Sequence, residues 1–509
     1  MSKNKQLTIN LIASCLYMII NYLVTFFVGS YIVKSIGGEA YGFINLCNTT
    51  INYATLITVA LNSVAGRFIT IEVHKGNNER ANRYFTSTFI ANIILSFLLM
   101  LVFIPLSFNL ENIFAIPENL VHSVKLLFIL TFVNLIISII GNVFTVATFI
   151  TNKLYLSNIS NLLGASSKIF LLWLLFGTLS PDLVFVGIST IVNAVIILVM
   201  NVIYTHRFVG SLKIRISNFS LKDTVELFVS GVWNSITKLS QILSDGLDVL
   251  FSNIWIGSYA MGQLSIAYTI PNFVSSFFSM IISLFSPQLT ESYAKSKKKE
   301  IVSELKLNMK MTGFVGNIIF FGIVLMGKEF FQLWVPTANI QLVYQLSVIS
   351  VISILASAIV SPLTNIFLVT NTLKINSLVW LGVSAFNTVC VLALLKTTSL
   401  GVFAVAGVSK IVGTIVNLTY LPIYSSKCIK ENIMCFYPLI FRYFIISILT
   451  GLVMMSTKFF IGDSTSWFGF FLRGGILCIF GLLSNYYFFL DREERKYLKR
   501  IILVRFTKR

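Results

Sequence analysis

The chain has little charge for its length: 11% of its 509 residues are charged, while 56% are hydrophobic. Soluble domains carry roughly a quarter of their residues as charges, so water is not the solvent for most of this surface. This shortage excludes an ordinary soluble globular protein. Apolar stretches of about 20 residues recur, the length that a helix needs to cross a bilayer. Because helices satisfy their own backbone hydrogen bonds in lipid, we predict an all-α integral membrane protein.

Residues that ligate metals or perform catalysis are also scarce. The chain has three histidines and six cysteines, and the cysteines are scattered without metal-ligand spacing. His74, His122 and His206 fall in or near predicted loops, without a convincing acid or nucleophile beside them. No loop is long enough for a separate domain. We therefore predict that the chain is not an enzyme and holds no metal or cofactor.

Acidic residues are half as frequent as basic ones, 19 against 38, which gives a net charge of +19. The positive charge lies in polar segments between or beyond the apolar stretches, as at Lys3, Lys5, the run 295–299 and the tail 492–509. This placement is typical of the positive-inside rule and excludes a nucleic-acid partner. We predict that both termini are cytosolic and that the lysine run attracts anionic membrane lipids at most.

The apolar pattern predicts about 14 transmembrane helices, because both termini then fall on the same side. They are placed at 7–32, 41–66, 85–108, 121–149, 156–178, 183–205, 225–254, 261–288, 307–328, 340–369, 375–397, 400–424, 436–461 and 467–490.

An internal repeat at an offset of about 220 residues divides these helices into two sets of six. Three echoes carry it: Ile36–Gly42 returns as Ile256–Gly262, Thr151-Asn152 as Thr370-Asn371, and Glu111–Pro117 as Glu329–Pro336. Since six spans return the chain to its starting side, the two sets have parallel topology. We predict a six-helix lobe at 1–205, a cytosolic linker at 206–224, a second lobe at 225–424, and two further helices with a basic cytosolic tail at 425–509.

A polar stripe lies on the seventh predicted helix. Spacings of three and four residues place its members on one helical face. Charges at mid-membrane depth cost at least about 2.5 kcal/mol each, so they face water or a partner. The stripe therefore predicts a cavity wall, although a neutralised Lys238/Asp245 pair that only holds the helix in place is the alternative. The members are Asn234, Lys238, Gln241, Asp245, Asp248 and Ser252.

The first predicted helix carries an uncharged stripe at the equivalent positions, Ser14, Tyr17, Asn21 and Thr25. Two such stripes predict a central aqueous cavity between the lobes.

Two further lysines, Lys168 and Lys410, lie near mid-span. Together with Lys238 they predict a cationic interior suited to a phosphate or diphosphate headgroup. The alternative for Lys168 and Lys410 is snorkelling to the interface. Asp245 and Asp248 are candidate sites for a coupling Na⁺ or H⁺, or else partners of Lys238.

The two lobes, the glycine-rich turns at 36–42 and 256–262, and the basic stretch at 67–83 resemble the multidrug/oligosaccharidyl-lipid/polysaccharide exporter superfamily, most closely its bacterial polysaccharide flippases. The resemblance covers essentially the whole chain. It implies alternating access in the bacterial cytoplasmic membrane, with an undecaprenyl-diphosphate-linked oligosaccharide as substrate. A polysaccharide polymerase and glycosyltransferases of the same pathway are the implied partners.

The chain departs from relatives that carry arginines on the first helix, since this helix has no charge after Lys5. We therefore expect Lys238, Lys168 and Lys410 to hold the diphosphate. A cation-coupled multidrug antiporter that uses Asp245 and Asp248 is the alternative, although three lysines within the membrane would repel a cationic drug.

Overall fold

The computed structural model describes residues 3–151, 153–245, 247–294, 298–370, 372–491 and 495. Within these ranges the chain forms helices joined by turns and short 3-10 segments, and no strand, so the predicted all-α class is confirmed. The α-helices are α1 Lys3–Ser35, α2 Gly38–His74, α3 Asn78–Phe108, α4 Val121–Asn142, α5 Val146–Ile150, α6 Leu154–Thr178, α7 Leu183–Phe208, α8 Leu221–Asp245, α9 Leu247–Phe251, α10 Ser258–Ala267, α11 Thr269–Ala294, α12 Lys298–Trp334, α13 Ile340–Val360, α14 Asn365–Val369, α15 Leu373–Thr397, α16 Val402–Cys428, α17 Tyr437–Ile461 and α18 Trp467–Phe488.

Twelve helical segments of the described chain are long and apolar enough to cross a membrane, or thirteen when one bent pair counts as a single span. The protein is therefore a multi-pass membrane protein, but the predicted count of fourteen is not confirmed. The shortfall lies at the predicted seventh span, 225–254. The described residues of this stretch, 225–245 and 247–254, are helical, and neither α8 nor the shorter helical segment that follows it is among the twelve.

The predicted eighth span, 261–288, is bent rather than straight. It consists of α10 and α11, whose axes differ by 41° at Tyr268. Pro271 explains the break, because a proline ring clashes with the carbonyl of the fourth residue before it. That residue is Ala267, where α10 ends.

The echo at Thr151 and Thr370 has the same backbone in both copies. A 3-10 segment precedes the five-residue helices α5 and α14 at Val143–Thr145 and at Ser361–Thr364. Each short helix is followed by a threonine whose hydroxyl donates to the carbonyl four residues earlier. Thr151 donates to Ala147, and Thr370 donates to Ile366. Pro362 is not the cause of the break, since the first copy has none.

The third echo preserves an ion pair but not the backbone. Glu111 lies in a 3-10 turn after α3 and pairs with Lys125 at 2.6 Å. Glu329 lies inside α12, which continues to Trp334, and pairs with Lys458 of α17. The Lys125 hydrogen bond holds the pKa of the Glu111 carboxyl below its ordinary value.

The stretch predicted as a linker, 206–224, is held against the start of α3. Asn82 accepts from the backbone N–H of Lys213 at 2.6 Å and donates to the carbonyl of Ser211. Arg83 pairs with the buried Asp223 at 2.9 Å. Because Asp223 belongs to the first turn of α8, these contacts fix the start of α8 on α3.

Contacts along the chain group it into two compact units, one with residues 1–265 and 377–385, the other with residues 266–376 and 386–509. In the first unit α8 and α4 pack on α2, and α1 and α7 pack on α6. In the second, α13 packs on α12 and α16. The lobe boundaries that the repeat predicts stay a prediction.

The last two helices, which have no repeat partner, are attached to α12 by buried amides and hydroxyls. Asn317 of α12 donates to Asn485 of α18 at 3.0 Å and accepts from Ser447 of α17 at 2.5 Å. Thr450 and Ser484 share a further hydrogen bond at 3.1 Å. Such bonds between helices in a membrane are worth about 0.6 kcal/mol each, and they also fix the register of the pair.

Asp491, just beyond α18, accepts from Lys310 of α12 at 2.7 Å and from Arg442 of α17 at 2.8 Å. The Lys310 hydrogen bond, with a smaller contribution from Arg442, lowers the pKa of the Asp491 carboxyl below its ordinary value. One carboxylate thus joins three helices of the second unit.

We predict that Asp491→Asn lowers the Tm of the purified protein at neutral pH. A depressed folded-state pKa stabilises the fold fully above the ordinary Asp range, near pH ~4, and this contribution is lost as pH falls through the folded pKa. The Tm of wild type and variant is measured by thermal unfolding in detergent at acidic and at neutral pH. The difference between them should therefore disappear in acid. Glu118→Gln, a carboxylate without an ion pair among the described residues, is the control. A difference that does not depend on pH contradicts the prediction.

Candidate functional site

Helix α8, which carries the predicted ionic stripe, lies directly against α2. A Cβ atom on Gly231 would overlap the backbone carbonyl of Ala60, so this approach requires a glycine. One turn further along α8, Asn234 donates to the Ser63 hydroxyl at 3.0 Å and Ser235 donates to the carbonyl of Leu56 at 3.2 Å. The close approach and these hydrogen bonds fix the rotation of α8 about its axis.

Hydroxyl groups tie another side of α8 to the first turns of α15. Thr237 and Ser377 share a hydrogen bond at 2.7 Å, and Ser240 donates to the Ser377 carbonyl at 2.9 Å. Ser384 in turn donates to the carbonyl of Ser240 at 3.2 Å. These residues form no recognisable pattern in the sequence, because isolated serines and threonines are common in membrane helices.

The predicted stripe on α8 is only partly described. Asn234 is hydrogen-bonded to α2, as above. Lys238 is half-buried, and among the described residues it makes no hydrogen bond or ion pair. The side chains of Gln241 and Asp245 lie outside the described part of the structure, so the stripe and the alternative Lys238/Asp245 pair stay predictions.

The last two members of the predicted stripe, Asp248 and Ser252, lie beyond α8, in α9 and in a π-helix. Asp248 is 4% exposed. The α-helix ends at Phe251 and a π-helix takes over at Ser252–Ile256. The prediction of one α-helix over 225–254 is therefore wrong at its end, because the wider π turn replaces the regular spacing.

The uncharged stripe on α1 is also described in part. The side chain of Ser14 lies outside the described residues, Tyr17 and Thr25 are half-buried, and Asn21 is exposed. The Thr25 hydroxyl donates to the Asn21 carbonyl at 2.9 Å, so it already has a partner within its own helix. Helix α1 packs mainly against α6.

The other two predicted lysines have different surroundings. Lys168 on α6 is half-buried and makes no ion pair among the described residues. Lys410 on α16 lies over the ring of Tyr268, 5.3 Å from its centroid, a cation–π contact. Lys168 and Lys238 belong to the first unit and Lys410 to the second, so convergence of the three stays a prediction.

A polar pocket of about 300 Å³ that was not predicted from the sequence lies within the first unit, between α4 and α7. Its signal was present in the sequence as polar residues three or four apart on two apolar helices. We call it the α4–α7 pocket. Its polar lining consists of Asn134, Ser138, Asn142 and Thr145 from the α4 side and Thr190, Asn193 and Asn201 from α7.

The two copies of the repeated glycine turn are in contact within the first unit. A Cβ atom on Gly42 would lie 3.0 Å from the Cα of Gly262, and one on Gly262 would lie 2.7 Å from the carbonyl oxygen of Gly38. Gly37 and Gly257 open the two turns with positive φ angles of 115° and 129°, which favour glycine. The two copies of the repeated turn therefore touch each other. One copy follows the end of α1 and the other follows the end of the π-helix.

Beside this contact, Asn253 in the π-helix is fully buried and clamps the backbone of Ala115. Its side chain accepts from the Ala115 N–H at 2.9 Å and donates to the Ala115 carbonyl at 3.2 Å. The π-helix and the loop after α3 are therefore held together at the same end of the first unit.

Comparison with known proteins agrees with this architecture. Residues 7–292 match the family described as "Polysaccharide biosynthesis protein", which is more than half of the chain. The chain belongs to this family. It is also 25% identical over 423 residues to an uncharacterized membrane protein, EpsK, of Bacillus subtilis (strain 168), a match that covers 82% of this chain and 83% of that protein.

Two solved structures show the same fold. The lipid II flippase MurJ in an inward closed conformation superimposes with a TM-score of 0.65 at 15% identity, over 94% of this chain and 98% of that one. An inward-facing multidrug resistance MATE family transporter of the MOP superfamily gives a TM-score of 0.63 at 14% identity, over 81% and 95%. The predicted membership of the superfamily is confirmed at the level of family and fold.

We predict that Gly262→Val destabilises the protein by about 1–3 kcal/mol, because the added side chain overpacks the contact with Gly38 and Gly42. The measurement is thermal or denaturant-induced unfolding of the purified protein. Gly66→Val is the matched control, since nothing lies within 4 Å of a Cβ built there. Equal stability of the two variants would show that the shared turn contact is not tight.

Proposed function

We propose that this protein is a flippase that moves an undecaprenyl-diphosphate-linked oligosaccharide across the bacterial cytoplasmic membrane by alternating access, with both termini cytosolic. It acts as a transporter in cell-surface polysaccharide synthesis, not as an enzyme. The polymerase and the glycosyltransferases of the same pathway act beside it.

The observation that carries the proposal is a cation deep in α8 that has no ion pair among the side chains that the structure describes. Lys238 lies about 26 Å along the helix from Leu221 at 1.5 Å per residue, and no described residue neutralises it. A charge at such depth is costly unless water or a partner of opposite charge meets it. An anionic substrate headgroup is such a partner.

Lys168 adds a second cation of the same kind, about 21 Å along α6 from Leu154. It too has no ion pair among the described residues. Lysine is a compact point charge that binds phosphate without requiring bidentate geometry. Two lysines of the first unit, with Lys410 of the second, suit a diphosphate better than a cationic drug.

The family and the fold support a substrate of this class. The chain belongs to a polysaccharide biosynthesis family, and one protein of the same fold is a lipid II flippase. That flippase matches 94% of this chain, whereas the MATE transporter matches 81%. The longer match favours a lipid-linked substrate over a drug.

Ion coupling through Asp245 or Asp248 is part of the proposal. Asp248 is almost fully buried, so binding or release of Na⁺ or H⁺ there requires a change in its surroundings. Such a change in burial is what alternating access would supply.

We predict that Lys238→Ala, Lys168→Ala and Lys410→Ala each reduce surface polysaccharide about tenfold or more in cells that depend on this protein, because each removes a charged hydrogen-bond donor from the diphosphate. Surface polymer is measured by immunoblot, with membrane protein level as the reference. Lys222→Ala, an exposed lysine at the start of α8, is the matched control and should leave output unchanged.

Normal output from all three lysine variants at normal protein level would contradict the site. A drug-susceptible phenotype with normal surface polymer would favour the multidrug antiporter instead.

A further inference from the structure

The α4–α7 pocket is polar but carries no charge in its lining. Seven amide or hydroxyl side chains line it together with apolar residues of the same two helices. Asn193 lies about 15 Å along α7 from Leu183, so the pocket is at mid-depth in the membrane. Amides at that depth would be costly if they faced lipid. The pocket opens at its exposed residues Ser138 and Asn142 and is closed at the buried Asn201.

Part of this hydrogen-bonding capacity is unused within the protein. Asn201 is 2% exposed, and its side-chain oxygen has no hydrogen-bond partner among the described residues. Asn134, Ser138 and Asn193 likewise make no side-chain hydrogen bond within the described chain. Only the hydroxyls of Thr145 and Thr190 are occupied, each by a carbonyl of its own helical segment. A buried amide oxygen without a protein partner is available to a donor from a ligand or from water.

The composition of the lining selects the chemical class of that ligand. Without a carboxylate the pocket offers no compensating charge to a cation, and without a lysine or arginine it offers none to phosphate. Asparagine presents two donors and an acceptor side by side, and serine presents one of each. Hydroxyl and N-acetyl groups of a neutral sugar match that set. A volume of about 300 Å³ is at the lower end for ligand pockets, which suits a single sugar ring.

Helix α6 connects this pocket to a cation. Gly164 of α6 touches the Asn193 side chain, because a Cβ at Gly164 would overlap it. Lys168 follows Gly164 by one turn and lies on the same face of α6. Helices α6 and α7 are consecutive and run antiparallel. Going along α6 from Gly164 to Lys168 therefore corresponds to going back along α7 from Asn193 towards Thr190, which lies at one end of the pocket lining.

We propose that the α4–α7 pocket is a sugar subsite that binds a neutral, hydroxyl- or N-acetyl-bearing ring of the substrate, with Asn193 and Asn201 as its main hydrogen-bonding residues. This inference rests on the proposed flippase function, because the ring next to the diphosphate is the one that Lys168 would bring to the pocket. The subsite makes binding depend on the sugar, beyond the lipid and the diphosphate.

The test compares two lipids on the purified full-length protein. Undecaprenyl-diphosphate-linked N-acetylglucosamine and undecaprenyl diphosphate without sugar are titrated, and binding is read from the thermal shift. Wild type should bind the sugar-bearing lipid about tenfold more tightly, as expected for two or more added hydrogen bonds. Asn193→Leu and Asn201→Leu should lose this preference and keep the affinity for the bare lipid. Asn218→Leu, which alters an asparagine outside the pocket, should retain it.

Asn193→Ser keeps a hydrogen-bonding group and should retain part of the preference, which separates lost binding from a folding defect. Leucine variants that still prefer the sugar-bearing lipid as wild type does would overturn the subsite and leave the flippase function standing.

A free-sugar arm is independent of the lipid. N-acetylglucosamine at high concentration should slow maleimide labelling of the Ser138→Cys thiol, and Asn201→Leu should abolish that protection. If wild type binds neither lipid but the sugar protects, the diphosphate part of the proposed function fails and the subsite stands. If the sugar gives no protection and no lipid preference is measured, the pocket is a water-filled cavity only and the inference is overturned.

Discussion

The fold depends on one constraint: a polar group inside a membrane must have a partner, since lipid offers none. Most polar side chains within the described helices satisfy it locally. Threonines and serines donate to carbonyls of their own helix, as Thr25 and Thr370 do. Others join helices, as in the Asn317–Asn485–Ser447 contact that attaches the last helical pair. Against this background a polar group that lacks a partner is informative.

Several polar groups of the first unit have no partner among the described residues, and two sets of them bear on the proposed substrate. Lys168 and Lys238 are cations without an ion pair, and Asn201 has a buried oxygen without a donor. The cations and the amides lie on different helices, and their chemistry is complementary to two parts of one molecule, a diphosphate and a sugar. In the proposed flippase, contacts with both parts would favour a lipid-linked saccharide over the sugar or the diphosphate alone.

Glycine has the opposite role, because it allows backbones to meet where no side chain fits. Gly231 lets α8 lie on α2, and Gly42 meets Gly262 at the shared turn. Both contacts involve the segment that carries Lys238 and Asp248. The position of these ionisable residues is therefore determined by backbone approach at glycines as much as by the stripe itself.

Hydrophobicity was sufficient to predict the all-α membrane class and most of the helices, although the count of fourteen is not confirmed. Residue spacing also predicted that Thr151 and Thr370 are equivalent, and both make the same hydrogen bond within their own segment. The 3-10 breaks that precede them interrupt helices predicted as continuous over 121–149 and 340–369. Residue spacing failed where the backbone departs from a regular helix. The bend at Tyr268 and the π-helix at Ser252–Ile256 depend on Pro271 and on packing around Asn253, and regular periodicity assumes neither.

The sequence by itself determined that the chain is helical and spans the membrane, because these properties follow from its composition, and it predicts two related halves from the repeat. Only the tertiary structure decided which polar residues are left without partners. The α4–α7 pocket exists because two helices distant in sequence place their asparagines face to face, and the spacing along either helix cannot specify that pairing. Likewise, the repeated glycines became a contact only when the chain brought both turns to one end of the first unit.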